Sequence, residues 1–367
     1  MAHIKSVEIN EFRGIRHIDL TDFSDINILT GDNNCGKTTI LEAIQLLFVK
    51  AQLSSVKNVI NQRTVLNSNS SFYTSFIKMF NTGLSTERLS FDISANSNIG
   101  ALRFEMKGQE KNITGEDALK LSAMSKRQKE IYKRSSDFIP ETVKMFSGNL
   151  INQNGNKTTK SDIKCTSMDN GLFGSIEKKE VYYLSSFGHL RYDLLQNIVD
   201  NPDYKKLAVD ILRQFDEDIE DICYTKADDG TFLETVITKK GDNMPFSVYG
   251  DGIKKILFIL NRLFDAENSI LLIDEIETGL HRKYFDILFP VVIALAKKLN
   301  VQLFIATHSL EAIDSLLKYG DYENSKDKND PIRVITLKKD GNKTISRNLT
   351  GRHVSENREA FNFEVRL

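Results

Sequence analysis

Apolar and polar positions alternate from the first residues, and the spacing predicts a β-hairpin over roughly 3–11 and 16–20. A short apolar run with Ile26, Ile28 and Leu29 follows as a strand. The period then changes: Ile40, Leu41, Ala43, Ile44, Leu46 and Leu47 recur at helical spacing. The Asn/Ser-rich stretches 61–71 and 94–100 read as loops, and RLSFDIS and ALRFEM around the second of them read as two further strands. Over 111–170 the character shifts. Thr114 with Asp117 three residues on signals a helix start, for a helix running to about Arg134, and the polar stretch SGNLINQNGNKTTKSD after Pro140 reads as a mobile loop. Strand and helix patterns resume at 180–186 and continue through SILLID, a helix over about 282–299 and VQLFIATHS to a strand near 332–338. The expectation is one α/β domain over 1–367, with 111–170 inserted in it as a helical and loop subdomain.

The bulk numbers narrow this little. The 367 residues are 40% hydrophobic and 27% charged, ordinary for a soluble globular chain. No apolar run approaches the ~20 residues of a membrane span, and the N-terminus lacks a signal-peptide stretch. Cys35, Cys165 and Cys223 are scattered in neither a zinc nor a disulfide pattern, which suits a reducing cytoplasm. A net charge of −1 leaves any basic surface local. One such run, Lys126, Lys129, Lys133 and Arg134 beside Tyr132, reads as a solvated helix face or as a contact for nucleic-acid phosphates. The acidic run 216–221 reads as an exposed helix end or an edge strand.

The chemistry concentrates in four short segments. GDNNCGKTT, Gly31–Thr39, sits between the strand and the helix just described. Gly31 and Gly36 let the backbone curl, so that its N–H groups, with Asn33, Asn34 and Thr39 in the loop, approach phosphate oxygens. Lys37 would reach the β- and γ-phosphates of ATP or GTP, and the Thr38 hydroxyl would sit on Mg²⁺. The helix N-terminus adds its partial positive charge. SILLIDEIETGLH delivers Asp274 to a strand end, where it can hold a Mg²⁺-bound water, and Glu275 beside it suits a general base for water. His308 ends the next apolar strand, in the place of a γ-phosphate-sensing histidine. FSVYGDGIKKILFIL places Gly250 and Gly252 before a helix with Lys254 and Lys255 in its first turn, a setting suited to the γ-phosphate of a nucleotide held by a second subunit.

Taken in this order, with EFRGI before the phosphate loop, these segments resemble the ABC-type ATPase superfamily and its RecF/SMC/OLD branch. GDGIKKIL, LLIDEIETGLH, FIATHS and the C-terminal ENREAFNFEVRL look like the stand-alone AAA-type ATPases related to the OLD family. The resemblance implies an ABC-type ATPase head: a core sheet flanked by helices, an N-terminal antiparallel β-subdomain and a helical insertion. It implies ATP with Mg²⁺ between two heads of a dimer or larger ring. Gly31–Thr39 is then Walker A, Asp274 and Glu275 Walker B, His308 the switch histidine, Glu277 to His281 the D-loop region, and Gly250, Gly252 and Lys254 the signature. The usual signature serine is missing, since Tyr249 and Gly250 occupy the likely positions. Only 59 residues follow His308, too few for the Toprim nuclease of full-length OLD proteins (367 less 308). Such ATPases accompany a separate effector, often Toprim-like, in bacterial anti-phage defence. The expectation is an ATP-hydrolysing switch of that kind, against two alternatives: a RecF-like repair ATPase clamping duplex DNA, and an OLD-like nuclease acting without a partner.

Overall fold

The structure, a computed structural model, describes residues 3–63, 71–81, 88–121, 140–168, 180–190, 193–320, 322, 330–361 and 363–366. In β1 (Ile4–Phe12), Ile4, Val7, Ile9 and Phe12 are buried while Lys5 and Glu11 face out; the pairing with the neighbouring strand slips between Ile4 and Ser6, and Glu11 is left-handed at φ 55°, so both ends of the strand return to the core face. β2 (Ile15–Leu20) returns antiparallel to it, and β3 (Ile26–Gly31) is buried at every position, as a central strand covered on both faces must be. α1 (Lys37–Leu47) follows, then α2 (Leu53–Arg63) and α3 (Phe72–Ile77), which Ser71 caps by accepting the Thr74 N–H. β4 (Leu89–Ser97), β5 (Gly100–Thr114), α4 (Gly115–Leu121), β6 (Thr142–Asn154) and β7 (Lys157–Thr166) complete the first half.

The second half runs β8 (Val181–Leu184), α5 (Gln196–Val199), α6 (Pro202–Leu212), β9 (Ile219–Lys226), β10 (Phe232–Thr238) and β11 (Asn243–Pro245). α7 (Asp251–Asp265), β12 (Ile270–Asp274), α8 (Phe285–Lys298), β13 (Gln302–Ala306) and α9 (Leu310–Lys318) come next. β14 (Ile332–Asp340), β15 (Lys343–Thr350) and α10 (Gly351–Phe361) close the described chain.

Among the described residues these strands form three sheets. One is antiparallel in the order β2-β1-β4-β5-β6-β7, one is the small β11-β10-β9, and one is β15-β14-β3-β13-β12-β8, parallel except for β15. The period of two in the parallel sheet feeds two cores. Ile28, Leu271, Leu303, Ile305 and Val334 join α7 and α8 on one side; Leu29, Leu272, Phe304, Ala306 and Ile335 join α1 and the antiparallel sheet on the other. α1 is thus clamped between two sheets, and ten of its eleven residues are buried, including Glu42, whose charge is met by Arg13 at 2.7 Å. Register sets the functional edge: Asp274 lies level with Ala306, and Ala306 with Leu29. The carboxyl ends of β3, β12 and β13 therefore open on one side, where ligands of parallel sheets sit.

Segment 111–170 differs from the expected helical and loop insertion. The described part is α4, the end of β5, and the β6–β7 hairpin, so SGNLINQNGNKTTKSD forms strands and their turn. The polar residues of that stretch other than the buried Asn152 are exposed or half-buried, while Phe146, Leu150, Ile163 and Cys165 pack into the core beneath the antiparallel sheet. The continuation of the helix to Arg134 and the basic run 126–134 lie outside the described residues. The acidic run 216–221 ends in β9, an edge strand of the small sheet, as the sequence allows.

Candidate nucleotide site

The loop Gly31–Thr39 links β3 to α1, and its glycines are demanded by their surroundings. Gly31 pairs beside Leu337 of β14 at φ +124°, where a Cβ would lie 2.0 Å from the Leu337 carbonyl oxygen. Gly36 caps α1 at φ +109°, with a Cβ 3.2 Å from Ile15, and Asn34 is also left-handed at φ 62°. Asn33 and Asn34 are exposed on the outer curve, and Thr39 is buried in the first turn of α1. The Lys37 ammonium turns back into the loop, donating to the carbonyls of Gly31 (2.9 Å) and Asp32 (2.8 Å) and to Cys35 Sγ (3.6 Å). Burial lowers its pKa, against the opposing pull of Cys35, Asp274 and Asp32. Cys35 itself is fully buried among the apolar side chains around α1.

Asp274 closes the gap between β12 and the loop. Its Oδ1 accepts from Thr38 Oγ1 at 3.1 Å and its Oδ2 from the Tyr183 hydroxyl of β8 at 3.0 Å. A hydroxyl and a carboxylate set this close are a hard, oxygen-only donor pair, and they fit Mg²⁺. Glu275 has φ 48°, a left-handed backbone that costs a non-glycine residue about 1 kcal/mol or more. Thr278 Oγ1 donates to its Oε2 at 3.1 Å and fixes the side chain in that turn. Glu277 accepts the backbone N–H groups of His308 (2.8 Å) and Ser309 (3.2 Å) on Oε1, tying the turn after β12 to the exit of β13. Burial and nearby Lys37 hold the His308 pKa below its ordinary value, despite Glu277, Glu275 and Asp274, so its imidazole is neutral at pH 7. Arg366 donates to the His308 carbonyl at 3.3 Å from the C-terminal segment.

The structure brings Gly31–Thr39, Asp274, Glu275 and His308 to one edge. Gly250, Gly252 and Lys254 stand elsewhere, at the N-terminus of α7. Gly250 caps the helix with no side-chain hydrogen bond, and a Cβ there would meet nothing within 4 Å. Gly252 faces the turn after β12, with Gly279 O 3.5 Å from a Cβ, and Lys254 lies 3.6 Å from Asp251. One position on, Lys255 is fully buried and donates to the Ser186 carbonyl at 3.1 Å. Burial pulls its ammonium down to about 8, against Glu277, Asp274 and Glu275.

Comparison with known proteins places the chain in a family. Residues 26–314 match the family described as "AAA domain, putative AbiEii toxin, Type IV TA system". The chain belongs to that family. It is an ATPase of the AAA and ABC class. An "ATP/GTP phosphatase" of Helicobacter pylori is 25% identical over 373 residues, covering 96% of each chain. A RecF DNA replication and repair protein of Nitrosococcus oceani is 49% identical over 47 residues, 13% of each chain. In structure, an SMC head bound to the C-winged helix domain of ScpA matches at a TM-score of 0.51 and 10% identity, over 96% of this chain and 99% of that one. The fold is that of an ABC-type ATPase head. Among the described residues no helix is long and apolar enough to cross a membrane.

Sequence reading missed Tyr183 and the burial of Lys255, which it places with Lys254 toward a phosphate. A tyrosine in a short strand carries no signal by itself. Lys255 did: with Gly252, Ile256, Ile259, Leu260 and Leu263 it falls on the apolar stripe of α7, where a lysine is out of place.

Proposed function

We propose that this chain is the ATP-hydrolysing switch of a bacterial anti-phage defence system, closing with further copies of itself across shared nucleotide sites and driving a separate effector. The observation that carries the reading is the loop at Gly31, whose left-handed glycines, buried lysine and Thr38–Asp274 pair form a cradle for a nucleotide with Mg²⁺. Magnesium-bound ATP supplies the phosphoanhydride to be cleaved. Lys37 moves from the Gly31 and Asp32 carbonyls to the β- and γ-phosphate oxygens, while backbone N–H groups of 33–39 bind the same anion. Thr38 and Asp274 would hold the cation, with Tyr183 orienting Asp274. Glu275 takes the proton of the attacking water. The neutral His308 imidazole donates to the γ-phosphate side. Gly250, Gly252 and Lys254 complete the site of a neighbouring copy, because the α7 N-terminus presents free N–H groups with open space at Gly250.

The family description, with its putative AbiEii toxin of a toxin–antitoxin system, supports the defence role; the SMC head bound to a winged-helix domain supports control through a second protein. The reading is tested by purifying the chain with the product of its genomic neighbour and measuring mass and turnover with and without ATP. ATP-dependent assembly and a co-purifying effector support it; a nucleotide-indifferent monomer contradicts it. A second reading, a DNA-clamping ATPase, draws on the RecF stretch. Turnover stimulated several-fold by duplex DNA, without an effector, would favour it.

A further inference from the structure

A buried lysine costs several kcal/mol of desolvation, and a methionine of nearly the same length would fill the Lys255 site without that cost. The fold alone gives no reason for the charge. Its surroundings do. Lys255 has Ser186 O as an acceptor at 3.1 Å, and the acids that act on it are Glu277, Asp274 and Glu275, all from β12 and the turn that follows. Glu277 uses one oxygen for the His308 and Ser309 amides, while its Oε2 is buried with no hydrogen-bond partner among the described residues. No ion pair within 4.0 Å reaches that oxygen among the described residues, so the Lys255 ammonium acts on it as a neighbouring buried charge and not by contact.

We infer that Lys255 is a positioning residue for ATP hydrolysis, its buried ammonium holding the acidic turn 274–277 and, through Glu277, the backbone of His308. Lys255 is the fifth residue of α7, three on from Gly252, which stands against Gly279. A shift of that helix end when it meets a second copy therefore moves the ammonium relative to Glu277, and with it Glu275 and His308. The lysine acts on the turn and touches neither nucleotide nor water. The inference rests on the assignment of Asp274, Glu275 and His308 to the hydrolytic site.

The test compares Lys255→Met, Lys255→Arg and Glu277→Gln with the parent chain, measuring kcat, KM, affinity for a non-hydrolysable ATP analogue, and amide exchange at 307–310. Lys255→Met should lower kcat about 10- to 100-fold, the scale of a small misplacement of reacting groups. KM and analogue affinity should stay within about twofold, since the phosphate cradle is untouched. Amides 308 and 309 should exchange faster even without nucleotide, and Lys255→Arg, which keeps the charge, should recover most of the kcat. Should Lys255→Met not fold, Glu277→Gln must give the same kcat loss and the same faster exchange. Parent-like kcat, unchanged exchange at 308 and 309, or equal losses in kcat and analogue affinity would overturn the inference. Lys37→Ala, measured alongside, separates the two claims. If it is inactive while Lys255→Met is normal, only the role of Lys255 falls; if it is active, the site assignment falls and takes this inference with it.

Discussion

Two helices of this chain begin behind glycines, and they differ in what holds those glycines in place. At α1, Gly31 is wedged against the Leu337 carbonyl, Gly36 is left-handed, and Lys37 is buried on the loop's own carbonyls. At α7, Gly250 has an ordinary φ of −64° and empty space where a Cβ would go. Both ends carry free N–H groups, so both suit an anion. The first is finished within the chain, and its residues are explained by internal packing. Among the described residues nothing crowds the second glycine, which accords with the proposal that another copy approaches the backbone there.

The comparison breaks most easily at α1. Lys37→Ala should drop turnover to background, a loss of about a thousandfold or more for the chief phosphate cation. Wild-type-like hydrolysis by that variant would remove the loop from the site. Glu275→Gln keeps the shape but cannot take a proton, so turnover should fall by about 10² to 10⁴ while nucleotide still binds; a dialysis or fluorescence titration reads the second half. The glycines give the sharpest contrast. Gly31→Ala should cost about 3 kcal/mol or more in urea unfolding, from a clash with backbone and a forbidden φ, whereas Gly250→Ala should stay within about 1 kcal/mol yet still impair turnover. Equal stability losses at the two positions would erase the distinction drawn between the helix ends. Tyr183→Phe removes one donor to Asp274 and should slow hydrolysis only about 3- to 10-fold, in keeping with a hydrogen bond of about 1 kcal/mol.

The smallest effect is one of pH. His189 and His308 both have pKa values below the ordinary 6.5, each chiefly through burial. The unfolded chain therefore binds more protons, and the stability these groups contribute is present above about pH 6.5 and lost as pH falls below it. Urea midpoints should decline from pH 7 to 5.5, less steeply in a His189→Asn, His308→Asn double variant. An unchanged slope in that variant would show that other groups set it.

Much of the cradle was legible because its parts are local. Glycine spacing, lysine and threonine follow one another in nine residues between a strand and a helix, Asp274 ends an apolar strand, and His308 comes two residues after another. The β6–β7 hairpin was not legible, since its outward residues are nearly all polar and its buried apolar ones, Val143, Met145, Phe146, Leu150, Ile163 and Cys165, leave the stretch 151–162 with none. Asn152 deepened the disguise: it is buried yet polar, donating to the Leu47 carbonyl at the end of α1 at 3.1 Å. Tyr183 and Glu277 act through partners 91 and 31 residues away, a relation that only the folded sheet establishes.

The claim that matters most is that each complete site takes α1 from one copy and α7 from another. Co-expressing two inactive variants, Lys37→Ala and Gly252→Asp, tests it directly. In a mixed pair one site inherits both defects and the other inherits neither, so the mixture should recover about a quarter of wild-type turnover although each variant alone stays at background. A mixture as inactive as its parents, from copies that do associate, would contradict the account.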